Sequence, residues 1–296
     1  MEINTLINQH KLKFDKFYYK ILNKKLDKSL LARAMKYSSI NGGKRIRAFL
    51  VSQSSKMVNL SSKNAMLISS CIESIHAYSL IHDDLPSMDN DDFRRGKLSN
   101  HKKFSEATAI LAGDALHDFA FQLISENLNN INPKQNLKLI SYLTNCTGHD
   151  GLAGGQSLDL LYENKKISKK KIIEMYNKKT SKLFEFSFSA PFILKKESFR
   201  RINFSKNYGS VFGIIFQITD DILDEINSFK EIGKTPGKDK KQGKRTLLSV
   251  LGQKKAINFC EQLTADFIKK YKSEFKQNPI LEDMLSLNIK KVKKIN

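Results

Sequence analysis

Residues 65–89 read AMLISSCIESIHAYSLIHDDLPSMD and join a long apolar stretch to a run of aspartates. In the apolar part, hydrophobic residues recur every three or four positions and do not alternate, so the segment is predicted to form a helix. Pro86 lacks a backbone N–H and disrupts further helix, so Asp83 and Asp84 are expected to end it. Asp89 then follows in a loop. The sequence thus predicts an apolar helix with carboxylates at its C-terminal end.

The same helical spacing recurs along the chain and predicts an all-α protein. Residues 105–124 repeat apolar positions at three and four, with Ser105 as a predicted N-cap. Residues 208–226 form a further long apolar segment that turns acidic near its end. Only five prolines occur, and no Ser- or Gly-rich tract marks a linker. We therefore predict a single domain over residues 1–296, a bundle of roughly ten or more helices.

The composition is that of a basic globular protein. The chain has 296 residues, 40% of them hydrophobic, and a net charge of +21 with an isoelectric point near 9.7. Such a charge fits a nucleic-acid ligand or, alternatively, lysines spread over solvated helix faces. The three scattered cysteines indicate neither a disulfide framework nor a zinc site and favour a reducing cytoplasm. No signal peptide or membrane-spanning run is visible, so we expect a cytoplasmic protein without membrane insertion.

A second acidic cluster, DDILD at 220–224, lies at the end of another long apolar helix. Asp220 and Asp224 are four residues apart and share a helix face with Gln217. Two such clusters presented face to face would line a cavity rim with oxygen ligands. Magnesium is commonly shared between one or two carboxylates and a substrate phosphate, so the pair of clusters predicts magnesium binding. A single acidic cluster would be explained more simply as part of the solvent-exposed surface.

Basic side chains accompany the acidic clusters. The stretch NGGKRIRAFLV at 41–51 places Lys44, Arg45 and Arg47 after a Gly-Gly turn, where a backbone can approach an anion closely. Further cations follow along the chain: Arg94, Arg95, Lys179, Lys234 and Lys244. Magnesium together with several Lys and Arg side chains is the arrangement expected for a diphosphate, because guanidinium groups bind phosphate oxygens in pairs. The sequence therefore predicts recognition of a diphosphate.

Ordered motifs over about residues 25–290 resemble those of the trans-prenyltransferases (polyprenyl synthases), most closely the bacterial farnesyl diphosphate synthases. The motifs are GGKRIRAFLV, CIESIHAYSLIHDDLPSMDNDDFRRG, HKKFSEATAILAGDAL, GLAGGQSLDL, NKKTSKL, FQITDDILD and GKDKKQGKRTLLSVLG. The resemblance implies an all-α bundle around a deep central cavity, usually a homodimer, with about three magnesium ions per active site. The implied reaction condenses isopentenyl diphosphate head-to-tail with dimethylallyl or geranyl diphosphate, giving farnesyl diphosphate and free diphosphate.

The resemblance also implies roles for individual residues. The magnesium ligands would be the aspartates of both clusters, Asp83, Asp84, Asp89, Asp220, Asp221 and Asp224. The allylic diphosphate would be bound by Arg94, Lys179, Thr180, Gln217, Lys234 and Lys244. Isopentenyl diphosphate would be bound by Lys44, Arg47, His76 and Arg95. Catalysis would involve Lys179 together with Thr180 and Gln217, whose side-chain oxygens would lie near the developing carbocation.

Product length is predicted from the helix that ends at Asp83. A growing prenyl tail would run along this helix, and each residue before Asp83 lies about 1.5 Å deeper. Tyr78 would therefore lie about 7.5 Å below the aspartate and form a floor, with the small Ser79 beside it. The alternative is that Tyr78 is simply a core aromatic. We expect the C15 product, with C20 and C10 products as alternatives.

Three other classes of protein share single features with this chain. A class I terpene cyclase shares the first acidic motif, but DDILD and the absence of tryptophan argue against it. A phosphohydrolase with a His-Asp pair is suggested by His82 and Asp83, yet it would need further histidine ligands. A nucleic-acid-binding protein would use the positive charge, but no recognised binding motif is present. No nucleic-acid partner is therefore expected.

Overall fold

A computed structural model describes residues 2–40, 42–226 and 243–295. Most residues in this part of the chain are helical and only one short hairpin of strands is present there, which confirms the all-α prediction. The chain divides into two compact units. Within the described ranges, unit 1 comprises residues 2–40, 42–141 and 187–197, and unit 2 comprises residues 142–186, 198–226 and 243–295. The single domain predicted over residues 1–296 stays a prediction.

The elements of the described residues follow one another from the N-terminus in this order. Unit 1 contains α1 (Ile3–Lys25), α2 (Leu30–Ile40), α3 (Ile46–Met57), α4 (Ser62–Asp83), β1 (Phe93–Arg94), β2 (Lys97–Leu98), α5 (Asn100–Lys103) and α6 (Glu106–Asn127). Residues of α7 (Pro133–Thr147) and α10 (Lys182–Leu194) belong to both units. Unit 2 contains α8 (Leu152–Tyr162), α9 (Lys169–Tyr176), the π-helical turn Asn177–Ser181, α11 (Phe199–Ile226), α12 (Leu247–Leu251), α13 (Gln253–Lys270), α14 (Lys272–Gln277) and α15 (Ile280–Ile295).

Helix α4 forms the centre of unit 1 and packs against α3 and α6. Its side chains are buried on nearly every face, including Ile68, Ile72 and Ile75, as expected for a helix that is apolar all round. Ser61 caps its N-terminus by accepting a hydrogen bond from the Asn64 backbone N–H. The helix ends at Asp83 with Asp84 as its C-cap, in agreement with the prediction that these two aspartates end it. The core of unit 1 therefore fixes the helix that carries the first acidic cluster.

Arg45 is part of the interior of unit 1, which corrects its expected place among the cations facing an anion. Its guanidinium donates hydrogen bonds to Glu73 (2.9 Å), to Asp15 (2.8 Å) and to the Ser39 carbonyl (2.7 Å). The side chains of Arg45 and Glu73 are each 3% exposed. A buried charge is tolerated when it is paired and hydrogen-bonded, so this network holds the turn after α2 against α4.

Unit 2 is built around α11, which packs against the π-helical turn, α13 and α15. Two glycines of α11 let this helix lie close to the backbone of Ser181 and Glu185. A Cβ on Gly209 would lie 2.5 Å from the Glu185 Cα, and a Cβ on Gly213 would lie 2.5 Å from the Ser181 Cα. Aromatic rings join α11 to the C-terminal helices, because Phe204 and Tyr208 contact Phe267 and Phe275. The close packing brings the C-terminal half of α11 against the π-helical turn.

Two expectations about the class of protein can be compared with the described residues. Cys71, Cys146 and Cys260 are buried free thiols, as their scattered positions predicted. Among the helices in the described ranges, none has the length and apolar character needed to cross a membrane.

Candidate active site

The first acidic cluster forms a tight loop after α4. The Asp89 backbone N–H donates to the Asp83 carbonyl (2.9 Å), and the Asp91 backbone N–H donates to the Asp84 carbonyl (3.1 Å). Asn90, with φ of 50°, donates to the Leu85 carbonyl (3.0 Å) and helps reverse the chain. The structure thus brings the predicted aspartates of this cluster together at the end of one helix.

Asp84 is buried and paired with Arg94. The Arg94 guanidinium donates to the Asp84 carboxylate through Nε (3.0 Å) and also through Nη2, and it lies 3.5 Å from Asp91. Burial raises the pKa of Asp84 to about 6, although the Arg94 charge opposes this shift. Arg94 comes from the small hairpin formed by β1 and β2. A buried carboxylate whose charge is disfavoured by burial would be stabilised further by a metal cation.

Arg95 lies against the Gly-Gly turn in unit 1. It donates to the Gly42 carbonyl (3.0 Å), and its Nη2 is 3.4 Å from the His76 Nε2. A Cβ on Gly43 would lie 2.8 Å from the Arg95 Cζ, so the glycine makes room for the guanidinium. Burial, with the charges of Arg47 and Arg95, lowers the pKa of His76 well below its usual value. His76 is therefore neutral near pH 7, and a neutral imidazole has one ring N–H and one acceptor nitrogen.

The other two residues predicted to bind isopentenyl diphosphate, Lys44 and Arg47, lie close together in the sequence after the Gly-Gly turn. Lys44 is exposed, and Arg47 is half-buried in the first turn of α3. Arg47 lies close enough to His76 to affect its pKa. Unit 1 thus gathers Arg47, His76 and Arg95 into one basic group, with Lys44 at the adjoining turn.

Tyr78 lies in an aromatic group rather than alone. Its ring makes edge-to-face contacts with His82 (5.4 Å between centroids) and His117 (5.2 Å). The His82 Nε2 lies 3.0 Å from the Ile110 carbonyl, which fixes this side chain against α6. The predicted neighbour Ser79 is buried and bonds the His76 carbonyl (3.0 Å). The role of Tyr78 as the floor of the product cavity stays a prediction.

In unit 2 the second acidic cluster is held by a hydrogen-bonded network. The Tyr176 hydroxyl donates to Asp221 and accepts from the Leu247 backbone N–H (2.7 Å). The Gln217 amide donates to the other Asp221 oxygen (2.7 Å) and accepts from the Thr180 hydroxyl (2.6 Å). Thr180 and Gln217, which are both predicted to act in catalysis, therefore lie together next to the second acidic cluster. The sequence did not predict Tyr176, because a tyrosine at the end of an amphipathic helix looks like any other core aromatic.

The three aspartates of the second cluster differ in exposure. Asp220 is exposed, whereas Asp221 and Asp224 are 7% and 6% exposed. Both oxygens of Asp221 accept the hydrogen bonds described above. Asp220 therefore presents its carboxylate most openly.

The π-helical turn Asn177–Ser181 carries two predicted residues, Lys179 and Thr180. Such turns widen a helix by one residue and are frequent at functional sites. A Cβ on Gly155 would lie 2.0 Å from the Lys179 backbone nitrogen, so α8 touches the backbone of the turn. The Lys179 ammonium donates to Asp159, and the Lys244 ammonium lies 3.8 Å from the same carboxylate. Lys234, the remaining predicted cation, lies outside the described residues.

The side chains fit magnesium in chemical type. The aspartates of both clusters offer hard carboxylate oxygens, which magnesium prefers. Within the described ranges, no three Asp, Glu, His or Cys side chains form a ready-made metal-binding group. Magnesium usually keeps several waters and uses one or two carboxylates plus substrate phosphates, so open carboxylates suit it better than a closed cage would.

Known proteins resemble this chain over most of its length. The farnesyl diphosphate synthase of Micrococcus luteus is 40% identical over 250 residues, which are 82% of this chain and 85% of that protein. The chloroplastic geranylgeranyl pyrophosphate synthase of Capsicum annuum is 37% identical over 253 residues, 83% of this chain and 69% of that protein.

A solved structure and a family match agree with these relatives. A geranyltransferase of Helicobacter pylori, complexed with magnesium and isoprenyl diphosphate, has a TM-score of 0.84 at 28% identity, with 99% of both chains covered. Residues 28–285 match the family described as polyprenyl synthetase. The match spans well over half of the sequence and includes both acidic clusters. The chain therefore belongs to the polyprenyl synthetase family.

Proposed function

We propose that this protein condenses isopentenyl diphosphate head-to-tail with an allylic diphosphate, dimethylallyl or geranyl diphosphate, to give farnesyl diphosphate and free diphosphate. The observation that carries the proposal is the buried pairing of Asp84, in the first acidic cluster, with Arg94, in a chain 40% identical to a farnesyl diphosphate synthase. The resemblance further supports a homodimer, a cytoplasmic location and one catalytic domain over residues 1–296.

Magnesium ions, about three in number, would be bound by Asp83, Asp84, Asp89, Asp220, Asp221 and Asp224. When bound, they would neutralise the charge of the allylic diphosphate and make it a better leaving group. The related Helicobacter pylori enzyme is complexed with magnesium and isoprenyl diphosphate, which supports this assignment. Arg94 would help Asp84 to hold the metal ion, because its guanidinium orients the Asp84 carboxylate. Burial raises the pKa of that carboxylate and so favours its protonated form.

The allylic substrate would be bound by Arg94, Lys179, Lys234 and Lys244. As the allylic C–O bond breaks, its electron pair stays on the diphosphate, and positive charge spreads over the allyl group. The Thr180 hydroxyl donates a hydrogen bond to the Gln217 side-chain oxygen, so the lone pairs of the hydroxyl oxygen can face that charge. Asp221 accepts from the Gln217 amide and fixes its orientation. These residues would therefore stabilise the carbocation by dipoles already in place.

Isopentenyl diphosphate would be bound by Lys44, Arg47, His76 and Arg95. Its double bond attacks the allylic carbon, and one proton is then lost to the departing diphosphate. His76 acts as a neutral hydrogen-bond donor, because burial and two arginines lower its pKa. No protein nucleophile is needed in this sequence of steps.

The test is an assay of the purified protein with isopentenyl and geranyl diphosphates. With magnesium, we expect one prenyl product that is dephosphorylated to farnesol and identified by chromatography. EDTA should abolish the reaction, and added magnesium should restore it. Failure to consume isopentenyl diphosphate with any allylic substrate would contradict the proposal.

Lys44→Ala is expected to raise the KM for isopentenyl diphosphate about tenfold or more, because a hydrogen bond to a charged group contributes about 1.5–3 kcal/mol. The KM for geranyl diphosphate should change less than twofold. Initial rates with each substrate varied separately provide the measurement. Lys63→Ala, which removes an equally exposed lysine at the start of α4, is the matched control. A larger rise in the allylic KM would reverse the pocket assignment.

Tyr78→Ala is expected to shift the product from mainly C15 to C20 or longer. The phenol ring would no longer block a tail that grows along α4, and the space it leaves is bordered by His82 and His117. This test matters because relatives with different product names are similarly close to this chain. Products are measured by chromatography after dephosphorylation. Phe121→Ala, which removes another aromatic from α6, serves as comparison, and an unchanged C15 product in Tyr78→Ala would show that Tyr78 is only a core aromatic.

A further inference from the structure

Tyr176, the last residue of α9, joins a backbone N–H to the second acidic cluster. Its hydroxyl accepts a hydrogen bond from the Leu247 backbone N–H (2.7 Å) and donates one to Asp221. The side chain is 2% exposed, so both hydrogen bonds lie in the interior of unit 2. A hydroxyl that is bonded on both sides transmits a direction of hydrogen bonding from one partner to the other.

Tyr176 is connected to Thr180 through side chains of α11. Tyr176 and Thr180 are four residues apart on α9 and the π-helical turn, and Gln217 and Asp221 are four residues apart on α11, which packs against both. The Asp221 Oδ2 accepts from Tyr176, and its Oδ1 accepts from Gln217 (2.7 Å). The Gln217 Oε1 accepts from the Thr180 hydroxyl (2.6 Å). We call this series, from the Leu247 N–H to the Thr180 hydroxyl, the Tyr176 network.

Every hydrogen bond of the Tyr176 network has a single possible direction. The Leu247 backbone N–H can only donate, so the Tyr176 oxygen accepts and its own proton is left for Asp221. A carboxylate only accepts, so Gln217 must turn its NH2 group to Asp221 and its oxygen to Thr180. The Thr180 hydroxyl must therefore donate to Gln217, which directs the lone pairs of the Thr180 oxygen away from that bond.

The direction would be lost if Asp221 no longer faced Gln217. A side-chain amide has nearly the same shape after a turn of about 180°, so Gln217 could then present its NH2 group to Thr180. The Thr180 oxygen would accept that bond, and the hydroxyl proton would be free to point toward the positive charge of the allyl group. A hydroxyl dipole turned in this way opposes the developing carbocation instead of stabilising it.

We propose that Tyr176 is a positioning residue for the carbocation step, and the inference rests on the proposed function. Its hydroxyl holds the Asp221 Oδ2 and thereby keeps the Oδ1 turned to the Gln217 amide. Gln217 then keeps the Thr180 hydroxyl in the orientation that stabilises positive charge. Tyr176 thus acts on the reaction through other side chains, and its anchor is the backbone N–H of Leu247.

Tyr176→Phe tests this role, because it removes the hydroxyl and keeps the ring. We expect the rate constant of condensation in a single turnover to fall about tenfold, while the KM for each substrate changes less than twofold. In a Thr180→Val background, which lacks the hydroxyl to be oriented, Tyr176→Phe should lower this rate constant less than twofold further. A purely structural role would lower it equally in both backgrounds. Tyr19→Phe, which removes a hydroxyl from a 55% exposed tyrosine on α1, is the matched control.

A binding measurement separates this inference from the proposed function. The probe is a prenyl ammonium ion, with nitrogen in place of the cationic carbon, titrated calorimetrically in the presence of inorganic pyrophosphate and magnesium. Tyr176→Phe should weaken its binding about tenfold. If the wild type does not condense the substrates but Tyr176→Phe weakens binding of the probe, the proposed function fails while the positioning role is supported.

Three results would overturn the positioning role. The first is equal affinity of the wild type and Tyr176→Phe for the ammonium probe. The second is an equal fall of the condensation rate constant in the wild-type and Thr180→Val backgrounds. The third is a Tyr176→Phe protein that does not fold, as measured by circular dichroism, because the hydroxyl would then be a requirement of the core of unit 2.

Discussion

Asp83→Ala is expected to lower kcat by at least a hundredfold, with no comparable change in helical content. Asp83 ends α4, and its carbonyl already accepts the hydrogen bond from Asp89, so the loop keeps its backbone support when the side chain is removed. The change would remove a carboxylate that we propose as a magnesium ligand, and such a ligand contributes mainly as the leaving group develops charge. Asp220→Ala, at the exposed position of the second cluster, should behave in the same way.

Steady-state kinetics with varied magnesium concentration, alongside circular dichroism, measures this effect. Asp118→Ala removes an exposed aspartate from α6 and should retain wild-type kcat. Retention of more than about a tenth of wild-type kcat, a loss below ~1.4 kcal/mol, would exclude the mutated residue as a ligand.

Glu73→Gln is expected to reduce the free energy of unfolding by about 3–5 kcal/mol. The change leaves the Arg45 charge buried with only Asp15 as a carboxylate partner, and Asp15 is partly exposed. Urea unfolding monitored by circular dichroism provides the measurement. Glu126→Gln is the matched control, since its partner Lys25 pairs with it at the surface and such pairs contribute about 0–1 kcal/mol.

The double replacement Arg45→Met with Glu73→Leu sharpens the test. Removing both charges leaves no unpaired ion, so the loss should be much smaller than for Glu73→Gln alone. A destabilisation by Glu73→Gln no larger than that of Glu126→Gln would contradict the buried network.

Local features of the fold could be predicted from the sequence because their causes are local. The period of apolar residues and Pro86 placed the end of α4 at Asp83 and Asp84. The Ser105 cap is confirmed, because its side chain accepts a hydrogen bond from the Thr108 backbone N–H. The sequence also placed Arg94 shortly after the first acidic cluster, and the structure pairs it with Asp84, ten positions earlier. These are short-range consequences of spacing and backbone chemistry.

Long-range partners could not be predicted in the same way. Arg45 looks like its neighbours Lys44 and Arg47 in the sequence, and only its contact with Glu73, 28 residues away, shows that it is structural. The sequence shows Asp159 as one acidic residue in an apolar helix. Its pairing with Lys179 depends on how α8 packs against the π-helical turn. Side chains with equal charge thus differ in role because of packing that no spacing reveals.

The π-helical turn Asn177–Ser181 also limits how this segment can change in length. Its neighbouring residues Lys179 and Thr180 reach different helices, Lys179 to Asp159 on α8 and Thr180 to Gln217 on α11. Deleting one residue would restore regular α-helical hydrogen bonds, yet it would rotate one side of the helix relative to the other by about 100°. A substitution leaves the course of the backbone in place, whereas an insertion or a deletion separates the two side chains from their partners. Homologous sequences should therefore align through NKKTS without gaps.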